Sequence, residues 1–294
     1  MSDQPSQPAA LVSRAAPFLK WAGGKTQLLA QYDPLFPTGP VERYFEPFVG
    51  SGAVFFALRR RDFARSYHLF DSNPELINVY QVVRDQVEEL ITLLAEHRAR
   101  HAADSRAHYY AVRELDRDPD WRRTAAPVVR AARMIYLNKT CYNGLWRVNS
   151  KGQFNVPLGR YKNPPILDED KLRAASAALQ GVALAVADFR SIVDCAAAGD
   201  FVYFDPPYVP LSATANFTSY AKDDFGEQDQ RDLAEVFRAL DRRGCRVMLS
   251  NADAPLVHTL YADFNLRLVT ARRAINSHTA RRGPIAEVVV TNYA

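Results

Sequence analysis

Hydrophobic residues in this chain gather into short unbroken runs, separated by longer stretches in which they recur at every third or fourth position. The runs are Tyr44 to Phe45, Tyr67 to Phe70, Val182 to Val186, Phe201 to Phe204, Val247 to Ser250, Leu266 to Thr270 and Glu287 to Thr291. Each predicts a strand. The stretches Ala53 to Arg60, Pro74 to Arg98, Gln228 to Arg242 and Ala254 to Tyr261 carry helical spacing. Alternation of the two predicts a layered α/β domain. The last two runs follow each other with no helix between them, which predicts an antiparallel hairpin closing one edge of the sheet.

From Val79 to about Gln180 the alternation breaks. Helical stretches dominate there (Gln86 to His97, Ala107 to Leu115, Pro127 to Leu137), followed by a hairpin-like region rich in Gly, Asn and Pro from Asn143 to Pro165. The expected division is a flexible leader over 1–16, rich in Ser, Gln, Pro and Ala, then a first part of the α/β domain over 17–78. An inserted, mostly helical domain over 79–180 and a second part of the α/β domain over 181–294 complete it.

Composition narrows the class without naming a function. With 294 residues and 48% apolar content, the chain can bury a core as one large domain or two smaller ones. A net charge of +4 and a pI near 8.9 permit nucleic-acid binding without requiring it. Arg147, Lys151, Arg160 and Lys162 share one short polar and aromatic stretch, and Arg272, Arg273, Arg281 and Arg282 cluster near the end. Cys141, Cys195 and Cys245 are odd in number and widely spaced, which predicts buried free thiols in a reducing compartment. No run approaches the roughly 18 apolar residues of a membrane span, and no secretory signal pattern opens the chain, so a cytoplasmic protein is expected.

Candidate chemistry begins at Asp205-Pro206-Pro207-Tyr208, where an apolar strand ends in a carboxylate, a rigid bend and an aromatic ring. The prolines fix φ and donate nothing, freeing a carbonyl to accept from an exocyclic amine while Tyr208 offers a face for stacking. Upstream, Phe45-Glu46-Pro47-Phe48-Val49-Gly50-Ser51-Gly52 runs from strand to glycine turn to helix, where backbone can approach a ligand closely. About 20 residues further on, Asp71 ends the next strand, as a carboxylate for ribose hydroxyls would. Other signals fail. Gly24-Lys25-Thr26 resembles the end of a phosphate loop, yet the first glycine of that motif is replaced by Leu19. His97 and His101 have zinc-helix spacing without the intervening Glu, so they read as a solvated helix face. The sequons at Asn138 and Asn216 have no secretory route.

Taken in order, Phe18-Leu19-Lys20-Trp21-Ala22-Gly23-Gly24-Lys25, the Glu46 to Gly52 segment, Asp71-Ser72-Asn73-Pro74 and Asp205 to Tyr208 resemble the motifs of Dam-type DNA adenine N6-methyltransferases. Cys141 to Lys162 resembles that family's DNA-recognition hairpin, and Pro210 to Thr218 the segment after its catalytic motif. The resemblance spans nearly the whole chain. It implies a Rossmann-like class I methyltransferase sheet with an inserted, mostly helical DNA-recognition domain carrying a β-hairpin. It also implies S-adenosylmethionine as methyl donor and double-stranded DNA as partner, with no metal and no obligate protein partner. By the same resemblance Asp205, Pro206 and Tyr208 hold the target adenine. Trp21, Lys25, Gly50 and Gly52 meet the methionine end of the cofactor, Asp71 its ribose, and Asp188 and Phe189 its adenine. Asp188 read alone is equally a helix cap. Lys20, Leu145, Arg147, Pro157 and Tyr161 match the positions of relatives that read GATC, and Val148 stands where relatives often have Tyr. A palindromic site lets a monomer methylate each strand in a separate encounter. Other acceptors (RNA adenine, cytosine N4, a glutamine amide) and a non-catalytic DNA-binding module remain alternatives.

Overall fold

The computed structural model of the chain describes residues 7–209, 225–271 and 285–294. Seven strands, β1 Arg43–Glu46, β2 Ser66–Asp71, β3 Ala183–Val186, β4 Phe201–Phe204, β5 Arg246–Ala252, β6 Asn265–Ala271 and β7 Ile285–Thr291, form one sheet. All seven overlap the predicted runs. The order is β3-β2-β1-β4-β5-β7-β6. β1 to β5 pair in parallel, and β7 lies antiparallel between β5 and β6. The expected edge hairpin is therefore present, with its second strand rather than its first against the parallel part.

The helices are α1 Gln7–Val12, α2 Leu29–Tyr32, α3 Ala53–Arg59, α4 Pro74–Asp85, α5 Val87–Ala103 and α6 Ser105–Glu114. They continue with α7 Trp121–Thr124, α8 Pro127–Thr140, α9 Glu169–Leu179, α10 Ile192–Cys195, α11 Glu227–Arg242 and α12 Pro255–Leu260. Strand alternation sends side chains to opposite faces, and each face is apolar. Tyr44, Leu69, Phe201 and Tyr203 pack with α3, α4 and α9, while Phe45, Val202, Phe204 and Leu249 pack with α10, α11 and α12. None of the helices described is long and apolar enough to cross a membrane.

Several expectations need correction. The stretch Pro74 to Arg98 is two helices, because the backbone at Gln86 (φ −137°, ψ 37°) leaves the helical region. Glu88 and Glu89 then open α5, where negative charge suits the exposed N–H groups. A boundary at residue 79 falls inside α4, whose Val79 and Tyr80 are fully buried. Moreover α5, α8 and Phe154 share one apolar core with the sheet, and α9, near the end of the supposed insertion, packs on α1 and α4. Helix α9 itself was legible: Asp168 accepts from the Lys171 N–H as a cap, acidic residues fill the first turn, and Leu172, Ala175 and Leu179 follow at helical spacing.

Within the supposed leader, α1 rests on α9, Ala15 is buried, and its carbonyl accepts from Arg60. Residues 143–165 form no regular strands. The hairpin is reduced to the isolated bridges Cys141–Leu158 and Val148–Phe154, since prolines at 157, 164 and 165 bring no N–H to a ladder. Cys195 is exposed, whereas Cys141 and Cys245 are buried. His97 and His101 do not face solvent alone. His97 hydrogen-bonds His108 at 3.0 Å and stacks on Tyr136, and His101 bonds the Tyr136 hydroxyl at 2.9 Å. No group of three or more metal-ligating side chains occurs among the described residues.

Candidate active site and nucleic-acid interface

Strand order reverses between β1 and β4, which lie side by side with Tyr44 opposite Phe201 and Phe45 opposite Val202. At such a switch point the loops leaving two parallel strands diverge to opposite faces and open a crevice beyond their carboxyl ends. That geometry brings the Glu46–Gly52 turn, which leaves β1, against Asp205, which ends β4. A cavity of about 520 Å³ lies there, lined by Trp21, Lys25, Gly50, Asp71, Asp205 and Tyr208 among others. Phe48, Ser51, Ser72, Tyr203, Pro206 and Phe225 complete much of its wall.

Its two key glycines are needed for space as well as for conformation. Gly50 (φ +47°) lies under Trp21, where a Cβ would sit 2.9 Å from the indole, and Gly52 (φ +68°) would bring a Cβ 2.7 Å from the Tyr80 hydroxyl. That hydroxyl donates instead to the Gly50 carbonyl at 3.1 Å. Asp71 accepts the Asn73 N–H on one oxygen (3.0 Å) and the Gly50 N–H on the other (3.3 Å). Burial outweighs these bonds and pushes its pKa up to about 6. On the cavity floor Glu46 accepts from the Tyr44 hydroxyl at 2.7 Å, and burial pushes its carboxyl up to about 8.

Asp205 is held from one side. Its Oδ1 accepts from Lys25 Nζ at 2.8 Å and from Ser250 Oγ at 3.0 Å, and among the described residues its Oδ2 has no partner. Burial raises its pKa, and Lys25 and Ser250 pull it back part of the way. Lys25, 3% exposed, also donates to the Gly23 carbonyl at 2.5 Å and sits 4.6 Å from the centre of the Tyr208 ring. The Lys25 ammonium thus lies with the Asp205 carboxylate, whereas the resemblance had assigned it to the cofactor. Gln230 donates to the Pro207 carbonyl at 2.8 Å and is itself held by Asn251, leaving the Pro206 carbonyl without a donor among the described residues.

Asp188 and Phe189 stand outside this wall. Asp188 is exposed, caps the turn Phe189–Ser191 through the Arg190 N–H (2.8 Å) and pairs with the Arg190 guanidinium (3.0 Å), so its observed bonds are those of a cap. Phe189 is buried behind Phe48, with ring centres 5.4 Å apart. Ser250, Asn251 and Glu287 were missed by residue-level reading. Polar residues ending the apolar run of β5 at the carboxyl edge of a parallel sheet were the available signal.

Lys20, Leu145, Arg147, Pro157 and Tyr161 are all exposed, in and beside the region 142–162. Lys20 Nζ lies 4.7 Å from the centre of the Tyr161 ring, and Arg147 donates to the Asn155 side chain at 2.8 Å. Asn138, fully buried, ties this face to the cavity loop. Its side chain accepts the Lys20 N–H (2.9 Å) and donates to the carbonyls of Lys20 (2.7 Å) and Gly144 (3.1 Å). A Cβ at Gly144 would meet Lys20 at 2.6 Å. Pro210 to Thr218, Asn216 and the C-terminal arginine cluster lie outside the described residues.

This sheet order, with its switch-point cavity and strand-end carboxylates, defines a Rossmann-like methyltransferase. The particular family follows from comparison. The model of the "D12 class N6 adenine-specific DNA methyltransferase" family matches residues 21–275, and the chain belongs to that family. It is 44% identical over 279 residues to the Type II methyltransferase M1.LlaDCHI of Lactococcus lactis subsp. cremoris, covering 94% of this chain and 95% of the relative. It is also 44% identical to the Type II methyltransferase M.MjaIII of Methanocaldococcus jannaschii, covering 94% and 99%. Identity to the DNA adenine methylase of Escherichia coli is 37%, covering 92% and 93%. The protein is an adenine-specific DNA methyltransferase and therefore uses a methyl donor and acts on DNA.

Proposed function

We propose that this enzyme transfers the methyl group of S-adenosylmethionine to N6 of an adenine flipped out of double-stranded DNA, within GATC, and that it acts as a monomer. The observation that carries the chemistry is the one-sided hold on Asp205. With Oδ1 fixed by Lys25 and Ser250, Oδ2 and the Pro206 carbonyl are two acceptors for the two hydrogens of an exocyclic amine. S-adenosylmethionine supplies a methyl already activated by its sulfonium. Asp205 need only align the amine and stabilise the positive charge that develops on it, an electrostatic role strengthened by exclusion of water. The surplus proton on the methylated N6 can leave after transfer.

The residues present suit this donor. Asp71 is a half-buried carboxylate with one backbone N–H on each oxygen among the described residues, to which two ribose hydroxyls would add, and Trp21 over Gly50 offers an apolar wall. An adenine N6 in duplex DNA is paired and stacked, so the base must leave the helix to reach Asp205. GATC specificity rests on the match of Lys20, Leu145, Arg147, Pro157 and Tyr161 to relatives that read it. A guanidinium can offer two donors to guanine O6 and N7 in the major groove. Modified-base sequencing of DNA from a methylation-null host expressing this chain is the test. Marks on adenine in GATC are expected; marks confined to another motif overturn the specificity alone, and marks on cytosine overturn the chemistry too.

A further inference from the structure

Strand β7 alternates Val288 and Val290 toward one core with Glu287, Val289 and Thr291 toward the other. Val289 belongs to the same apolar core as Tyr32, Tyr203 and Met248, and Glu287, two residues before it on the same face, pairs with Ala252 at the carboxyl end of β5. It lies between Ala252 of β5 and Val269 of β6. Its Oε2 accepts the Tyr208 hydroxyl at 2.6 Å, within the short range of charge-assisted O–H···O bonds. Burial keeps that phenol protonated, hence a donor. Tyr208 has a second restraint, the Lys25 ammonium 4.6 Å from its ring centre. One holds the far end of the ring and the other holds a face.

We propose that Glu287 is a positioning residue: through the Tyr208 hydroxyl it fixes the plane on which the target base stacks beside Asp205. The inference rests on the reading of Tyr208 as the base platform. A ring free to swing about its χ angles would leave the amine misaligned with the donor, lowering the rate of transfer without touching donor binding. Glutamine in place of Glu287 keeps an acceptor of the same shape.

Single-turnover transfer to duplex DNA, measured for Tyr208→Phe, Glu287→Ala, Glu287→Gln and the double variant Tyr208→Phe/Glu287→Ala, tests this. Tyr208→Phe and Glu287→Ala should each slow transfer about tenfold or more, the worth of a hydrogen bond to a charged group. The double variant should be no slower than either, Glu287→Gln should recover most of the rate, and KM for S-adenosylmethionine should not move. Additive losses, or a wild-type rate in Tyr208→Phe, overturn the proposal. Tyr208→Phe removes the same bond from the other end and keeps the test decisive where Glu287→Ala does not fold. Absence of adenine methylation by the wild type in the same assay overturns the underlying reading as well, which separates the two failures.

Discussion

In the cavity, Lys25 is 3% exposed and its ammonium touches a carboxylate, a carbonyl and an aromatic ring. On the face around residues 142–162, Leu145 and Tyr161 are 42% and 38% exposed, and among the described residues Arg147 makes one side-chain bond, to Asn155. On the function proposed above, the difference follows from what each region would have to do before its partner arrives. A catalytic carboxylate has to be aimed in advance, and in a low-dielectric site every group that aims it must itself be satisfied. Groups that read base edges gain nothing from burial in the free protein. Water satisfies them until the major groove replaces it, so they remain exposed and lightly held.

The contrast is sharpest at Asp205. Replacement by Ala should cut transfer by about 10² to 10³-fold or more, the range for removing one aligned electrostatic group, while donor affinity stays within about tenfold. It should also destabilise the fold by about 3–5 kcal/mol, because Lys25 is left buried without its counter-charge. Adding Lys25→Met should return stability in chemical denaturation but not activity. Methyl transfer near wild type by the single variant would break the assignment.

Asn138 is where the two regions meet, and Asn138→Ala should blur the contrast between them. Three hydrogen bonds at about 1 kcal/mol each are lost, so stability should fall by about 2–3 kcal/mol. Titration of the variant should show weaker donor binding and weaker DNA binding together; loss of one alone would mean that the regions are not coupled through this amide.

For Arg147→Ala the expected effect is about 1–3 kcal/mol of discrimination at one G·C pair. Its melting temperature should be unchanged, since an exposed side chain with one exposed bond contributes little to the fold. Competition binding that shows equal losses on cognate and substituted sites would demote Arg147 to a phosphate contact, which would also appear as a reduced salt slope.

The smallest effect concerns pH. Asp71 has its folded pKa raised to about 6 by burial, so the stability it contributes is fully present below the ordinary carboxylate pKa and is lost as pH rises through about 6. Ribose hydroxyls prefer the ionised form, so donor affinity should rise across the same window and be roughly tenfold weaker at about pH 5 than at about pH 7. Isothermal titration of wild type and Asp71→Asn checks this; a slope that survives in Asp71→Asn belongs to another group, Glu46 being next in line with its pKa near 8.

Seven strands, most helices and the motif residues of the cavity were legible in the chain because each rests on local pattern. Apolar runs make strands, three-and-four spacing makes helices, and Asp205-Pro206-Pro207-Tyr208 reads as a strand end whatever surrounds it. Helix α9 carried a local signal too, in its Asp168 cap and acidic first turn. Tertiary structure alone decided what depends on residues far apart in sequence. It put β1 beside β4, so that the Gly50 turn faces Asp205, and it slid β7 between β5 and β6, so that Glu287 reaches Tyr208. It also paired Lys25 with Asp205 and fixed Asn138 between Lys20 and Gly144. A carboxylate's partner is set by which strands adjoin and which loops then converge. No local spacing encodes that, because burial of two apolar faces at once selects the strand order for the whole sheet.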